Sequence, residues 1–179
     1  MVVDARRTER APPPTSLFEK TYIMNNQRIG KVLISIAVAL SAIVSTAVDM
    51  LPGATGHVFN PTWNPHAVFH DIVMFLLLDQ MALICLWLLW RKSADPLTGV
   101  RVATLLVLCF WTPFYYVSSI FPMASLSANL AEMDKVSILV GGMRVYFNVM
   151  IGTCMIVIAL IGYWLYCRGD WRAVHARTH

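Results

Sequence analysis

Four long apolar runs, separated by short polar stretches, organise this chain. The first is Val32 to Val48, bounded by Lys31 and Asp49. The second extends from about Ala67 to Trp90 and is interrupted by Asp71 and Asp79. The third starts at Val102 and meets no charge until Glu132; the fourth is Val145 to Cys167, between Arg144 and Arg168. The hydrocarbon core of a bilayer takes about 20 apolar residues as a helix. Helices are the expected form, because an open sheet edge leaves backbone groups unsatisfied in lipid. The pattern therefore predicts an all-α integral membrane protein, a four-transmembrane-helix bundle with helices at about 32–50, 66–90, 101–122 and 145–167. Residues 31–168 form the membrane domain in this reading. Residues 1–30 are a mostly disordered basic tail, and 169–179 a second tail. The first 30 residues lack the apolar segment of a secretory signal, and the run after them is long enough to span.

Each expected helix has a distinguishable face. On the first, Ala37, Ser41 and Ser45 recur at a spacing of four and Asp49 continues the stripe. Small residues at that spacing let helices approach closely in lipid. On the second, Asn64 is a favourable N-cap and Pro65 a favourable first residue. His66 and His70 then share a face, while Asp79 falls on another near mid-membrane. Pro113 removes a backbone donor within "WTPFYYVSS" and predicts a kink in the third helix. Thr112, Tyr115, Tyr116 and Ser119 place hydroxyls in its outer half. On the fourth, Gly152, Met155, Ala159 and Gly162 line one side with Asn148 at its outer end.

Composition and charge sharpen the picture. The 179 residues are 58% hydrophobic and 13% charged, against roughly 25% charged in soluble domains. The net charge of +4 has an account that needs no nucleic acid. Arg6, Arg7, Arg10, Lys20, Arg28 and Lys31 precede the first run. Arg91, Lys92 and Arg101 separate the second from the third, and Arg168, Arg172 and Arg177 follow the fourth. Only Lys135 and Arg144 fall in the other two connections. This is the positive-inside asymmetry, and it predicts that both termini are cytoplasmic. The membrane is then a bacterial inner membrane or a eukaryotic endomembrane. The four cysteines have no CxxC spacing and read as small buried apolar residues. No phosphate-binding loop and no GxSxG motif occurs.

The densest chemistry lies in "GHVFNPTWNPHAVFHD", residues 56 to 71, which holds three of the five histidines. It falls on the outer side. His66, His70 and Asp49 are the candidate catalytic residues. His57, Asn60, Trp63, Tyr115, Tyr116, Ser119 and Asn148 are the candidate ligand-binding residues, gathered in the outer third of the bundle. A bundle pocket with several convergent polar groups is the usual site. Three readings fit. His66 and His70, completed by His57 or Asp49, would hold a single divalent metal. A His paired with Asp49 or Asp71 would move a proton on a lipophilic substrate without metal, with Tyr115 or Tyr116 steadying the developing charge. The segment would otherwise be a stiff re-entrant loop of a non-catalytic accessory subunit. A cofactor-free site is favoured over a metal in this reading.

His57, Phe59, Asn60, Pro61, Trp63, Pro65, His66, Phe69 and His70 resemble the H-x-F-N-P-x-W-x-P-H-x-x-F-H segment of an uncharacterised family of small four-helix membrane proteins. Asn64 and Val68 stand here where that family often has proline and arginine. The resemblance implies a shared fold and no settled activity. More loosely, four helices with an outer polar pocket are similar to emopamil-binding-type isomerases and to small membrane oxygenases and cyclases. The sequence thus leads to an outer-facing His/Asp pocket for a lipophilic small molecule, with acid–base or metal-assisted oxidative chemistry. The expected partners are the lipid bilayer and either that molecule or a partner membrane subunit, with no nucleic acid.

Overall fold

A computed structural model of the chain describes residues 17–50, 57–61, 63–121 and 137–178. Its elements in chain order are α1 (Leu17–Asp49), α2 (Pro65–Trp90), α3 (Pro96–Trp111), α4 (Pro113–Ile120), β1 (Ser137–Val140), β2 (Met143–Tyr146) and α5 (Phe147–Thr178). Four segments are long and apolar enough to cross a membrane: Met24–Asp49, Pro65–Trp90, Pro96–Ile120 and Phe147–Gly169. Their outward faces are strongly apolar, as at Ile43, Leu77, Leu83 and Trp164. An apolar exterior over so much of a helical surface is what hydrocarbon solvates, and the chain is a multi-pass membrane protein.

α1 packs most extensively against α5 and also contacts α2 and α3; α3 contacts α2 and α5. The α1–α3 pair therefore lies between α2 and α5. Glycines set the closeness of these crossings. A β-carbon added to Gly30 would stand 2.5 Å from the carbonyl oxygen of Gly162, and one on Gly162 would stand 2.8 Å from the carbonyl oxygen of Gly30. The two backbones touch, which in lipid maximises dispersion contact between helices. Gly152 on α5 makes the room that the Trp111 ring fills, since a β-carbon there would lie 2.7 Å from that ring.

Trp111 is 3% exposed, and its indole N–H donates to Ser41 Oγ at 2.8 Å. Ser41 Oγ in turn donates to the Ala37 carbonyl at 2.7 Å. Neither polar group is left unpaired in the apolar core. Ala37 and Ser41 are both fully buried, so the small-residue stripe is a packing face. α2 contributes Asp71, Phe75, Leu78, Ala82, Cys85 and Leu89, alternating steps of four and three that keep one side inward.

Several boundaries differ from the sequence pattern. α1 begins at Leu17 and takes in residues 17–30, assigned above to a tail; Asn26 and Gly30 are buried there. At its inner end this stretch is held by packing of Gly30 on α5. α5 runs on to Thr178, beyond the expected end at 167. The third span is interrupted at Thr112. Pro113 has no N–H to donate, and Tyr115 N instead bonds the Thr112 carbonyl at 3.1 Å. A short antiparallel hairpin, β1–β2, precedes α5 in a chain expected to be all helix. Gly141 (φ 56°) and Gly142 (φ 84°) supply the two positive-φ residues its turn requires. The tail up to residue 16, the connection 51–56, Thr62 and residues 122–136 lie outside the described residues.

The α1–α5 crossing yields a direct expectation. Gly30→Ala should lower unfolding stability in detergent micelles by about 1–3 kcal/mol, because two backbones must separate. Ile43→Ala, on the outward face, should stay within about 0.5 kcal/mol of wild type in the same thermal measurement.

Candidate functional site

Residues 57 and 58, in the connection between α1 and α2, lie against the end of α1. The Asp49 carbonyl at that end accepts from the His57 N–H at 3.2 Å and the Val58 N–H at 3.1 Å. It would otherwise be an orphan of the helix terminus. Two turns follow: Asn60 N–H donates to the His57 carbonyl and Trp63 N–H to the Asn60 carbonyl, each at 3.2 Å. They bring Trp63 onto His57, with ring centroids 4.4 Å apart and planes 14° apart. Asn64 then caps α2, its Oδ1 accepting from His66 N–H at 2.8 Å, and Pro65 is the first helical residue. The prolines and turn residues of this stretch thus set where the imidazole of His57 comes to rest.

That imidazole meets two carboxylates. His57 Nδ1 lies 2.8 Å from Asp49 Oδ1 on α1 and 3.6 Å from Asp71 Oδ1 on α2. One ligand atom from each of the three side chains lies within 4.8 Å of the others. The side chains are 31%, 15% and 8% exposed for His57, Asp49 and Asp71. Asp71 Oδ2 is buried without a hydrogen-bond partner. The Asp49 carboxylate against the ring raises the pKa of His57 above its ordinary value. Burial opposes that shift, and the charges of Asp49 and Asp71 add to it.

The structure thus unites Asp49 and His57 and adds Asp71, which the sequence reading treated only as a possible partner for a histidine. A signal for it was present, since Asp71 heads the buried stripe of α2. His66 and His70 are exposed and meet each other, Nε2 to Nε2 at 3.0 Å, with Phe69 stacked on His66. Asn60 is buried within the loop. Tyr115 is tied to α5, its hydroxyl 2.6 Å from Thr153 Oγ1. Tyr116 and Ser119 are exposed, and half-buried Asn148 accepts from Val149 N–H at 2.9 Å within its own helix. Among the described residues, the group with metal-ligand spacing is Asp49, His57 and Asp71, not the three histidines. Asp79, which had no evident partner in sequence, accepts from Thr46 Oγ1 on α1, with both carboxylate oxygens at 3.1 Å.

The opposite end of the bundle has another character. Lys31 lies 5.9 Å from the Trp90 ring and 5.8 Å from the Tyr166 ring. Arg91 stacks on Trp87 and Arg168 on Trp164, each at 5.0 Å. One end is therefore basic and aromatic, and the other carries the imidazole and carboxylates. Comparison with known protein families, characterised proteins and solved structures finds no match, so the chemistry is read from these residues alone.

His57 and His66 should respond differently to truncation. His57→Phe keeps a ring to stack on Trp63 but leaves two carboxylates facing an apolar edge, and should destabilise by about 1–3 kcal/mol. His66→Ala should change stability by less than about 0.5 kcal/mol. Parallel thermal unfolding in micelles measures both.

Proposed function

We propose that this multi-pass membrane protein binds a lipophilic small molecule, whose polar end docks at the Asp49–His57–Asp71 centre. The observation that carries this reading is the buried Asp71 carboxylate, whose Oδ2 has no hydrogen-bond partner, beside an imidazole and a second carboxylate at the end of an apolar bundle. A carboxylate in a membrane segment is costly to keep and marks a site by default. The ligand class follows from the surroundings. A hydroxyl or keto oxygen would face the polar centre, while an apolar skeleton would lie along the bundle. The centre acts on that oxygen either through a proton of His57, as an isomerase or cyclase would, or through a cation held by the three side chains.

The reading places this centre on the outer side and both termini in the cytoplasm. The separation of charge supports it: Lys31, Arg91 and Arg168 form the basic, aromatic end expected to face the cytoplasm.

Two measurements test the proposal. For topology, Phe59→Cys, in protein whose four native cysteines are replaced by Ala, should react with an impermeant maleimide applied from outside intact cells or sealed vesicles. Labelling only after permeabilisation would invert the orientation. For function, protein extracted in its native lipids should carry a small lipophilic species detectable by mass spectrometry. Asp71→Asn should reduce that species by about tenfold or more, since a lost hydrogen bond to a charged group is worth about 1.5–3 kcal/mol. A chain that carries no such species and instead co-purifies with a stoichiometric membrane partner would be a non-catalytic accessory subunit.

A further inference from the structure

Deepening that reading, and resting on it for the site's role, we infer that Asp49, His57 and Asp71 bind one divalent first-row transition cation. Two independent features point to a ligand at this place. The first is geometric. Bonds of about 2.0–2.2 Å to imidazole nitrogen and carboxylate oxygen put neighbouring ligand atoms roughly 3 Å apart. The observed separations from His57 Nδ1, 2.8 Å to Asp49 and 3.6 Å to Asp71, bracket that spacing. The second is the state of the atoms themselves. Asp71 has a side-chain exposure of 8%, yet its Oδ2 has no hydrogen-bond partner.

Charge balance is compatible with a divalent cation: among the described residues no Lys or Arg forms an ion pair with either carboxylate. Two carboxylates, a neutral imidazole and a divalent cation sum to zero, which the apolar surroundings favour. Two oxygen donors and one nitrogen suit Zn²⁺, Mn²⁺ or Fe²⁺ better than Cu⁺. Three protein ligands leave room for a further one, where the polar oxygen of the small molecule would bind and be polarised.

The exposed His66–His70 pair is the competing chelate, because its ring nitrogens are also 3.0 Å apart. The full chain in detergent micelles, stripped with a chelator, separates the two when titrated with Co²⁺ and followed by its visible absorption. The expected result is one Co²⁺ per chain, displaced by Zn²⁺. His66→Ala combined with His70→Ala should leave the affinity unchanged, while Asp71→Asn and His57→Gln should each weaken it by about 10–100-fold or more. Wild-type protein gives a check that needs no variant to fold. With ¹⁵N-histidine label and bound Mn²⁺, electron–nuclear double resonance should show one directly coupled imidazole nitrogen; two would assign the metal to His66 and His70. Failure to bind Co²⁺, or loss of binding only in the double-alanine variant, would overturn the inference. A bound lipophilic species on a chain that takes no Co²⁺ would remove the metal and keep the binder. Stoichiometric Co²⁺ on a chain with no such species would do the reverse.

Discussion

Backbone contact between α1 and α5 is the constraint on which the rest of the bundle depends. Lipid gives helices no solvent-driven reason to associate, so close approach must supply the attraction. Gly30 and Gly162 remove the side chains that would hold the helices apart. About three turns further along, Ser41 and Gly152 make room for the Trp111 ring, whose N–H is satisfied by Ser41. With α1 held against α5 and α3, its remaining side is available to α2. Thr46 and Asp79 join those two helices, giving an acidic residue in an apolar span a defined partner.

The site follows from this frame. Asp49 is the last residue of α1, so the depth at which α1 docks sets where its carboxylate stands. Asp71 occupies the first position of the stripe by which α2 faces the bundle, so packing of Phe75, Leu78 and Ala82 carries it inward. The loop then supplies the imidazole. Its backbone bonds to the end of α1, its two turns and the His57–Trp63 stack hold His57 over both carboxylates. Burial without full pairing opposes stability at this position, and the apolar layers beneath it offset that cost. The two ends of the bundle consequently differ in kind: cations resting on aromatic faces at one, anions around a histidine at the other.

Local chemistry made several features legible in the sequence. Four spans follow from run length and the requirement for internal backbone pairing. Asn64 and Pro65 begin α2 because an amide cap and a fixed φ act within three residues. Ala37 and Ser41 lie on the packed face because small residues recur every fourth position. The β1–β2 hairpin also had a local signal, Gly141–Gly142 between two short β-rich runs, but one obscured by the apolar segment it leads into. The helical start at Leu17 had none comparable in a stretch of polar composition.

The histidine motif shows where sequence and tertiary structure part company. The sequence by itself determined that this segment holds imidazoles, carboxylates and rigid turns between two apolar helices. It also made His66 and His70 neighbours, because residues four apart share a helix face. Only the tertiary structure decided that His57 joins Asp49 and Asp71, while the other two histidines face outward. The reason is physical: helix geometry relates residues within a few positions of one another, whereas the three members of this centre come from the end of one helix, a folded loop and the buried side of another. Their separation is set by how α1 and α2 dock within the bundle, a distance that no single segment encodes.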